Sequence, residues 1–526
     1  MKSTRILALL LAIVTLCGCF VGCNNEPDPK DTDAEETEPE KMDLADLDYK
    51  GATFTVHTSI NVDAHESEAT KSSNYLIQGA DEVVGDKASD SALQRNKKVE
   101  SDLNVTFRYI EADFPFTEVG SSVREVIKAG VDDINLIIND AGCARLSAEG
   151  LFHDAIYGEF FDFSQPYWYD GFMESSSLNS NTRYLLAGDY FIDVIRHSEC
   201  LVMNKDLLSQ MGGDPEAIYD LVRKGEWTLD ALISIVNGGD DAYNYMTGEV
   251  GYPYNGTYID NQGNKKRDRR DQWGIVMWQW WGPMIPFITA CDPDTFMVRD
   301  ENGYPVIAVN NERTISLVEK LNTLFHTPST AVAVHKDATD TVVSFTEGRI
   351  LFLTCQKLGD LESELYANSE VNLAVLPYPK LDEFQENYNT TSNAEVGFIP
   401  STVSFANLDY VSAVVEYLNQ ISAETVIPKY YESTLKIRYA RDSANADMIQ
   451  LIHDNPGNIF PYIWDIPEGN NIFTHGIHDS VYHNDNTFSS YYKSYIGSAE
   501  SELEQYVSDY EFVKEELEAQ YANSGK

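Results

Sequence analysis

The chain has TFTVHT at residues 53–58, SALQRNKKVESDL at 91–103 and NVTFRYIE at 104–111. The first and third segments are rich in β-branched and aromatic residues and predict strands, whereas the second has the spacing of an amphipathic helix. FTEVGSSVREVIKAG (116–130) then predicts a second helix, and DINLIIND (133–140) a third strand. Strands that alternate with helices indicate an α/β fold whose parallel sheet is covered on both faces.

The end of the third predicted strand is a candidate ligand rim. In open α/β sheets, ligands bind beyond the carboxyl ends of the strands. Asp140 to Gly142 follow the last apolar residue of that strand. We therefore expect Asp140 to contact a ligand.

The rest of the chain continues the α/β pattern. Residues 184–203 predict one or two strands, GRILFLT (348–354) and NLAVLPY (372–378) predict strands, and VRDENGYPV (298–306) predicts a hairpin. Helices are expected over 227–238, with Thr228 as N-cap, and over 310–325. A C-terminal helix over 499–521 has one apolar stripe, formed by Leu503, Tyr506, Val507, Tyr510, Val513 and Leu517.

The N-terminus has the features of an export signal. Lys2 and Arg5 precede a short apolar run, and Leu16-Cys17-Gly18-Cys19 follows it. This run is too short for a comfortable membrane span, and a small residue directly before a cysteine is similar to a bacterial lipobox. We predict a signal peptide over residues 1–18 and lipidation of Cys19, with Cys23 as the alternative. Acyl chains on the new N-terminus would then anchor the protein to the membrane.

Composition limits the classes of function. Hydrophobic residues make up 43% of the 526 residues, so the mature chain is a folded protein large enough for two domains. Its formal net charge of -46 disfavours nucleic acids and anionic membranes as partners, because a polyanion repels both. Residues 26–40 contain eight acidic residues and three prolines, which predicts an extended tether over residues 19–46. The scattered Cys143, Cys200, Cys291 and Cys355 match no disulfide scaffold or zinc motif, and we expect them to be small buried residues.

Several segments, in this order, resemble the family 1 extracellular solute-binding proteins of ABC importers. They are QRNKKVESDLNVTFRYI, LVMNKDLLSQMGGD, KGEWTLDAL, FTEGRILFLTC, NLAVLPYPKLDEFQ and PKYYESTLKIRYARD. The last two are similar to a lipoprotein subgroup of Gram-positive anaerobes. Met203, where the family often has tyrosine, and a polar insert over residues 243–270 depart from the family pattern.

The resemblance implies a type II periplasmic-binding-protein-like fold, in which two α/β lobes enclose a ligand cleft and close by hinge motion. It places the crossings near 193–197, 376 and 406. The first lobe would contain residues 47–194 and 377–406, and the second 195–376 and 407–526. It also implies a monomer on the extracellular face of the cytoplasmic membrane. That monomer would deliver a carbohydrate, with an oligosaccharide as the expected form, to importer permease subunits.

Aromatic residues are the strongest candidates for ligand contact. Trp278, Trp280 and Trp281 lie within MWQWWGPMIPF (277–287), and large aromatic rings stack well on the flat C–H faces of a pyranose. If this segment stays a strand, Trp278 and Trp280 share a face and Trp281 points away, so we expect Trp280 to matter most for binding. Trp281 is the alternative if the segment has already turned into a helix at Gly282-Pro283. Further candidates, from the resemblance or from composition, are Gln356 with Lys357, Arg196 with His197, and Tyr462 with Trp464. For each of these residues, packing in the core or at a lobe surface is the alternative.

No motif indicates catalysis or a cofactor. The chain lacks GxSxG, HExxH, P-loop and GxGxxG patterns, so we predict a protein that is not an enzyme and needs no cofactor. His475, His478 and His483 lie beside Asp479 and Asp485 but match no metal motif, and no metal is expected. Two alternatives remain open. One is a surface lipoprotein that acts as a glycoside hydrolase or lyase, and the other is a sugar sensor without transport.

Overall fold

A computed structural model describes residues 43–61, 74–79, 87–114, 119–130, 133–237, 257–259, 265–267, 272–291, 296–334, 338–432, 443–485 and 487–523. The predicted signal peptide, both candidate lipidation sites and most of the predicted tether lie outside these residues. So does most of the 243–270 insert, apart from a short antiparallel pair formed by Thr257–Ile259 and Lys265–Arg267.

Thirteen strands are present in the described part of the chain. Nine of them form two larger sheets, and four form two separate pairs. In chain order they are β1 (Ala52–Asn61), β2 (Val105–Phe114), β3 (Leu136–Asp140), β4 (Glu199–Asn204), β5 (Thr257–Ile259), β6 (Lys265–Arg267), β7 (Trp273–Trp278), β8 (Met297–Arg299), β9 (Pro305–Ile307), β10 (Thr330–Ala333), β11 (Ile350–Lys357), β12 (Leu373–Leu376) and β13 (Glu395–Phe398).

The first sheet has the order β13-β3-β1-β2 and the second has the order β10-β7-β11-β4-β12. The parallel sheet expected from the N-terminal pattern is confirmed, because β1 pairs in parallel with both β2 and β3. Each sheet also includes antiparallel strands: β13 runs against β3, and β4 runs against β11 and β12. Both β4 and β13 follow stretches in which the chain passes from one sheet to the other. Each therefore enters its new sheet from the end opposite to the one where its antiparallel neighbour begins.

The described helices surround these sheets. They are α1 (Asn74–Ile77), α2 (Lys87–Leu103), α3 (Val119–Ala129), α4 (Asp170–Ser176), α5 (Asp193–Arg196), α6 (Lys205–Gln210), α7 (Pro215–Arg223), α8 (Leu229–Val236), α9 (Ile285–Ala290), α10 (Glu312–His326), α11 (Ala338–Thr346), α12 (Glu364–Ala367), α13 (Leu408–Ile421), α14 (Ile427–Tyr430), α15 (Ser443–His453), α16 (Phe460–Ile463), α17 (His475–Tyr482) and α18 (Phe488–Asn523). A 3-10 helix, Ala141–Glu149, directly follows β3.

Local sequence signals account for many of these elements. Thr228 caps α8, because its hydroxyl oxygen accepts the Ala231 N–H at 3.3 Å. The predicted hairpin is present as β8 and β9, with Val298 opposite Val306. The C-terminal helix is longer than predicted and buries Leu503 and Tyr510 of its apolar stripe. Of the stretch 184–203, only β4 is a strand, because the short helix α5 occupies part of the remainder.

The segment after residue 406 packs differently from the expectation. Helix α13 lies against α2, and the Tyr417 hydroxyl donates to Asp102 at 2.7 Å. This packing places α13 with the first sheet, although the expected boundary assigned residues 407–526 to the second lobe. The change to the second sheet comes later, since α15 packs on β12. Long-range packing sets this boundary, and the family spacing does not reveal it.

Burial agrees with the expected role of the cysteines in three cases. Cys143, Cys200 and Cys291 are buried free thiols, and Cys355 is half-buried. Among the described helices, none is both long and apolar enough to cross a bilayer.

Candidate functional site

Polar residues collect where β3 and β13 meet at one end of the first sheet. Asp140 is the last residue of β3 and lies opposite Glu395, the first residue of β13. The Asp140 carboxylate caps the 3-10 helix that follows, because it accepts the Gly142 N–H at 2.8 Å. Burial raises the pKa of Asp140, whereas that N–H, Arg145, Asn393 and Lys357 oppose the rise. The predicted rim residue is therefore at a strand end, within reach of charges from other segments.

A second group of charged residues lies close behind Asp140. Asp193 and Glu395 share a side-chain hydrogen bond, and burial raises the pKa of Asp193 to about 6. Arg196 contacts Asp193 at 3.3 Å and Glu362 at 3.2 Å. The pKa of Glu395 is well above its usual range, mainly because the carboxyl is buried. The nearby negative charge of Asp193 adds to this rise, because like charges favour the protonated form of one partner. This group fastens the segment that connects the two sheets.

The second sheet also has an edge with polar side chains at its strand ends. This edge carries Trp278, Gln356, Lys357 and Glu199. A bulge in β11 displaces the end of that strand, and Cys355 there has a φ of 57°. The Cys355 N–H donates to the Tyr378 hydroxyl at 2.9 Å, which holds the bulge. Bulges of this kind turn the following side chains, so the register of Gln356 and Lys357 differs from that of a regular strand.

Glu199 lies opposite Lys357 in this edge. Burial raises the pKa of Glu199 to about 8, although the Lys357 charge acts in the other direction. Among the described residues, the Glu199 Oε2 atom has no hydrogen-bond partner. A buried carboxyl oxygen without a partner carries a desolvation cost, which a polar group placed beside it would relieve.

Aromatic side chains connect the two edges. The Trp281 ring lies 4.8 Å from the His475 ring and 6.1 Å from the Tyr462 ring, measured between centroids. Asn393 Nδ2 donates to the Tyr462 hydroxyl at 3.0 Å, and Asn393 also interacts with Asp140. Tyr462 is within electrostatic range of both Asp140 and Glu199, and its pKa is raised mainly by burial. The aromatic group and the two polar edges therefore form one continuous region.

The three predicted tryptophans occupy different environments. Strand β7 ends at Trp278, which is 5% exposed, and residues 279–281 form a bend. The assumption that Trp278 and Trp280 share a strand face is therefore wrong. Trp280 is 40% exposed, and its ring centroid lies 6.2 Å from that of Trp281. Trp281 is the tryptophan that contacts Tyr462 and His475.

Three other candidates, Trp464, Gln356 and His197, form hydrogen bonds to residues outside this aromatic group. Trp464 is 1% exposed and donates its indole N–H to the Ser176 carbonyl at 3.0 Å, so it is a core residue. Gln356 donates to the Cys355 carbonyl at 2.9 Å and accepts from the Tyr366 hydroxyl at 2.7 Å. His197 caps the end of α5 in the connecting segment, where its N–H donates to Asp193 O at 2.7 Å.

The three histidines of the histidine-rich segment have different surroundings. His475 packs on Trp281, whereas His478 Nε2 lies 3.0 Å from the Gln279 carbonyl oxygen. His483 follows the end of α17. Across the part of the chain that the structure describes, no three Cys, His, Asp or Glu side chains are placed to hold a metal ion.

Sequence reasoning missed Asn393 and Glu199 and treated His475 only as a possible metal ligand. Glu199 is the first residue of β4 and Asn393 lies two residues before β13, and both antiparallel strands follow sheet-to-sheet connections. Their only local signal is a polar residue at or just before the start of a buried strand. That signal is common in loops, so it does not identify a site without the pairing of β13 with β3.

The structure is similar to solved solute-binding proteins. One is the cyclic α-maltosyl-1,6-maltose binding protein from Arthrobacter globiformis, with 12% sequence identity and a TM-score of 0.53 over 86% of this chain and 99% of that chain. Another is an ABC transporter solute-binding protein from Thermotoga lettingae bound with α-D-tagatose, with 12% identity and a TM-score of 0.50 over 87% of this chain and 100% of that chain. No protein-family model and no curated protein sequence matches the chain.

These similarities confirm the predicted fold class. The chain has the two-lobe α/β fold of type II periplasmic binding proteins, and each lobe is built on one of the two larger sheets. The candidate site joins the polar edge of one sheet to the polar edge of the other.

Proposed function

We propose that this chain is an extracellular solute-binding protein that captures a carbohydrate, specifically an oligosaccharide, and delivers it to an ABC importer. One observation carries the proposal. The Trp281 ring packs beside the rings of Trp280 and Tyr462, and the Tyr462 hydroxyl accepts from Asn393, which in turn interacts with Asp140 at the edge of the first sheet.

This combination suits a sugar for physical reasons. Aromatic faces remove the apolar C–H face of a pyranose from water, while carboxylate and amide groups accept or donate hydrogen bonds to its hydroxyls. A site made from two lobes also allows hinge closure, which removes the ligand from water. Of the two similar structures, one is a cyclic α-maltosyl-1,6-maltose binding protein and the other is bound with α-D-tagatose, which supports the same ligand class for this chain.

Binding and catalysis are separated by one experiment. The soluble mature protein is titrated by calorimetry with a panel that includes maltotetraose, cyclic maltosyl-maltose and tagatose, and small-angle scattering is recorded with each ligand. We expect saturable binding, a smaller radius of gyration and no product in chromatograms of the incubated mixture. Turnover of a bound sugar would favour the glycoside hydrolase or lyase alternative. Binding without any association with permease subunits in membranes would favour the sensor.

The anchor is a separate part of the proposal. We propose that a lipid on Cys19 holds the mature protein, as a monomer, on the extracellular face of the cytoplasmic membrane. Mass spectrometry of the N-terminal peptide is expected to show a diacylglyceryl-cysteine at residue 19. The Cys19→Ala variant should lose its lipid and leave the membrane fraction, whereas Cys23→Ala should remain there. A processed lipoprotein in the Cys19→Ala membranes would move the anchor to Cys23.

A further inference from the structure

His453 lies at a boundary between the two lobes, away from the candidate site. It is the last residue of α15, and this helix is fixed to the second sheet. Asn445 of α15 accepts the Val375 N–H at 2.8 Å and donates to the Leu373 carbonyl at 3.0 Å, so both bonds go to the backbone of β12. The position of His453 therefore follows the second lobe.

The groups that face His453 Nε2 belong to the first lobe. Leu186 exchanges backbone hydrogen bonds with Gly397 of β13, which fixes the segment that ends at Asp189. The Tyr169 hydroxyl donates to Asp189 Oδ1 at 2.6 Å, and Tyr169 N–H donates to Ala187 O at 3.0 Å. His453 Nε2 is 3.0 Å from the Tyr169 hydroxyl and 3.9 Å from Asp189 Oδ1.

The hydrogen-bond pattern calls for a protonated imidazole. The Tyr169 hydroxyl uses its one proton toward Asp189, so His453 Nε2 is left to donate to the tyrosine oxygen. On the other side of the ring, His453 Nδ1 lies 2.7 Å from Asp454 Oδ1, which also accepts from Gln450 Nε2 at 2.7 Å. Gln450 Nε2 also lies 3.4 Å from His453 Nδ1, but the shorter contact of Nδ1 is to the Asp454 carboxylate. Each ring nitrogen therefore has an acceptor as its nearest polar partner, and only the imidazolium donates from both.

The charges around the ring agree with this pattern. The titratable groups that face His453 are Asp189, Asp454, Tyr169 and Tyr431, whose rings or carboxylates come from both lobes. Burial alone would lower the pKa of His453, but the hydrogen bonds and charges of Asp189 and Asp454 outweigh it and raise the pKa to about 9. The His453 hydrogen bond in turn lowers the pKa of Asp454.

We propose that His453 is an electrostatic pin between the lobes, which holds α15 of the second lobe against Tyr169 and Asp189 of the first. The pin limits the rotations available to the hinge, and thereby sets how easily the candidate site opens. This role rests on the two-lobe motion in the proposed function. The pin itself, however, is tested without any ligand.

The sign of the pH dependence follows from the direction of the shift. A histidine whose folded pKa is raised contributes fully below its unfolded pKa of about 6.5, and the contribution is lost as the pH rises through about 9. The pin is therefore present at neutral pH and released in alkali.

The test measures the distance between the lobes in the ligand-free protein. Spin labels on non-natural ketone side chains replace Glu125 of α3 and Glu319 of α10, both exposed, and leave the native cysteines unmodified. At pH 7 we expect one narrow distance distribution for the parent protein and a shifted or broader one for His453→Gln. A change of about tenfold in the ratio of two lobe arrangements is expected for the loss of a charged hydrogen bond. The parent should change in the same way between pH 7.5 and 10.5, whereas His453→Gln should not respond to pH.

The matched control is His326→Gln. His326 Nε2 lies 2.7 Å from the Val481 carbonyl oxygen, and this contact joins α10 to α17 without crossing to the first lobe. This variant should keep the parent distance distribution. Identical distributions in His453→Gln and the parent, or a pH response that persists in His453→Gln, would overturn the pin.

A second variant keeps the test decisive if His453→Gln does not fold. Asp189→Asn retains the shape of the side chain but removes the charge from the first lobe. NMR titration of the His453 ring should then give a lower pKa than in the parent. An unchanged pKa in Asp189→Asn would also overturn the proposal. A sugar panel without binding would contradict the proposed function and leave these distance measurements unaffected.

Discussion

Two aromatic segments of similar composition have opposite surroundings in this protein. In MWQWWGPMIPF, Trp280 is 40% exposed and Trp281 contacts the rings of Tyr462 and His475, whose polar atoms belong to the candidate site. In IFPYIWD, Trp464 is 1% exposed, its ring stacks on Phe460, and its N–H is bonded to the Ser176 carbonyl. The difference teaches that a satisfied indole N–H, together with full burial, identifies a core tryptophan better than local composition does.

The largest effect is expected at Trp464. Trp464→Ala should lower the free energy of unfolding by about 3–5 kcal/mol, because it leaves a cavity in a closely packed core. Equilibrium denaturation in urea measures this change, and Trp464→Phe is the control that keeps most of the ring volume. The folded fraction of Trp464→Ala should bind its sugar with the parent affinity. A large loss of affinity at unchanged stability would place Trp464 in the site.

The next effect is expected at Trp281, and it should appear in binding instead of stability. Trp281→Ala should weaken sugar binding by at least about 1.4 kcal/mol, a tenfold change in Kd, because a stacking face is lost. Calorimetry beside a melting curve measures both quantities.

Trp280→Ala is the comparison for Trp281. Strand periodicity favours Trp280 as the more important ring, but β7 ends at Trp278, and Trp281 is the ring that packs against Tyr462. We therefore expect a smaller loss of affinity at Trp280. If both variants have a much lower melting temperature while their folded protein binds sugar with the parent affinity, Trp280 and Trp281 are core residues, as Trp464 is.

A smaller effect, on pH dependence, is expected at Glu199. Its pKa is raised by burial from 4.5 to about 8, so the folded state holds its proton more tightly than the unfolded state does. This contribution to stability is complete below about pH 4.5 and is lost as the pH rises through about 8. Glu199→Gln should therefore remove at least about 1 kcal/mol of the fall in unfolding free energy between pH 5 and 9.

The measurement is a series of urea denaturations across that range, with Glu364→Gln, which changes an exposed carboxyl of α12, as the control. A parallel pH dependence in Glu199→Gln and the parent would mean that the Glu199 carboxyl is solvated in the folded state.

The N-terminal sheet was the most predictable part of the fold. Within residues 52–140, the strands β1, β2 and β3 alternate with the longer helices α2 and α3, so the alternation of periodicities is visible in a continuous stretch. The second sheet was less predictable, because its five strands come from residues 199 to 376 and one of them, β4, runs against its neighbours. For the site, the rim position of Asp140 follows from the strand end, whereas the choice between Trp280 and Trp281 depends on where β7 stops.

The sequence by itself determined the elements that depend on neighbouring residues. These include the Thr228 cap and the hairpin of β8 and β9, which are stabilised by contacts within a few residues, and the α/β alternation and the apolar stripe of the last helix, which show in the spacing of apolar residues. Only the tertiary structure decided that Asp140, Asn393, Tyr462 and Trp281 meet, and that His453 reaches Asp189. Those contacts join residues far apart in the chain, and the packing of the two lobes, not any local pattern, sets their geometry.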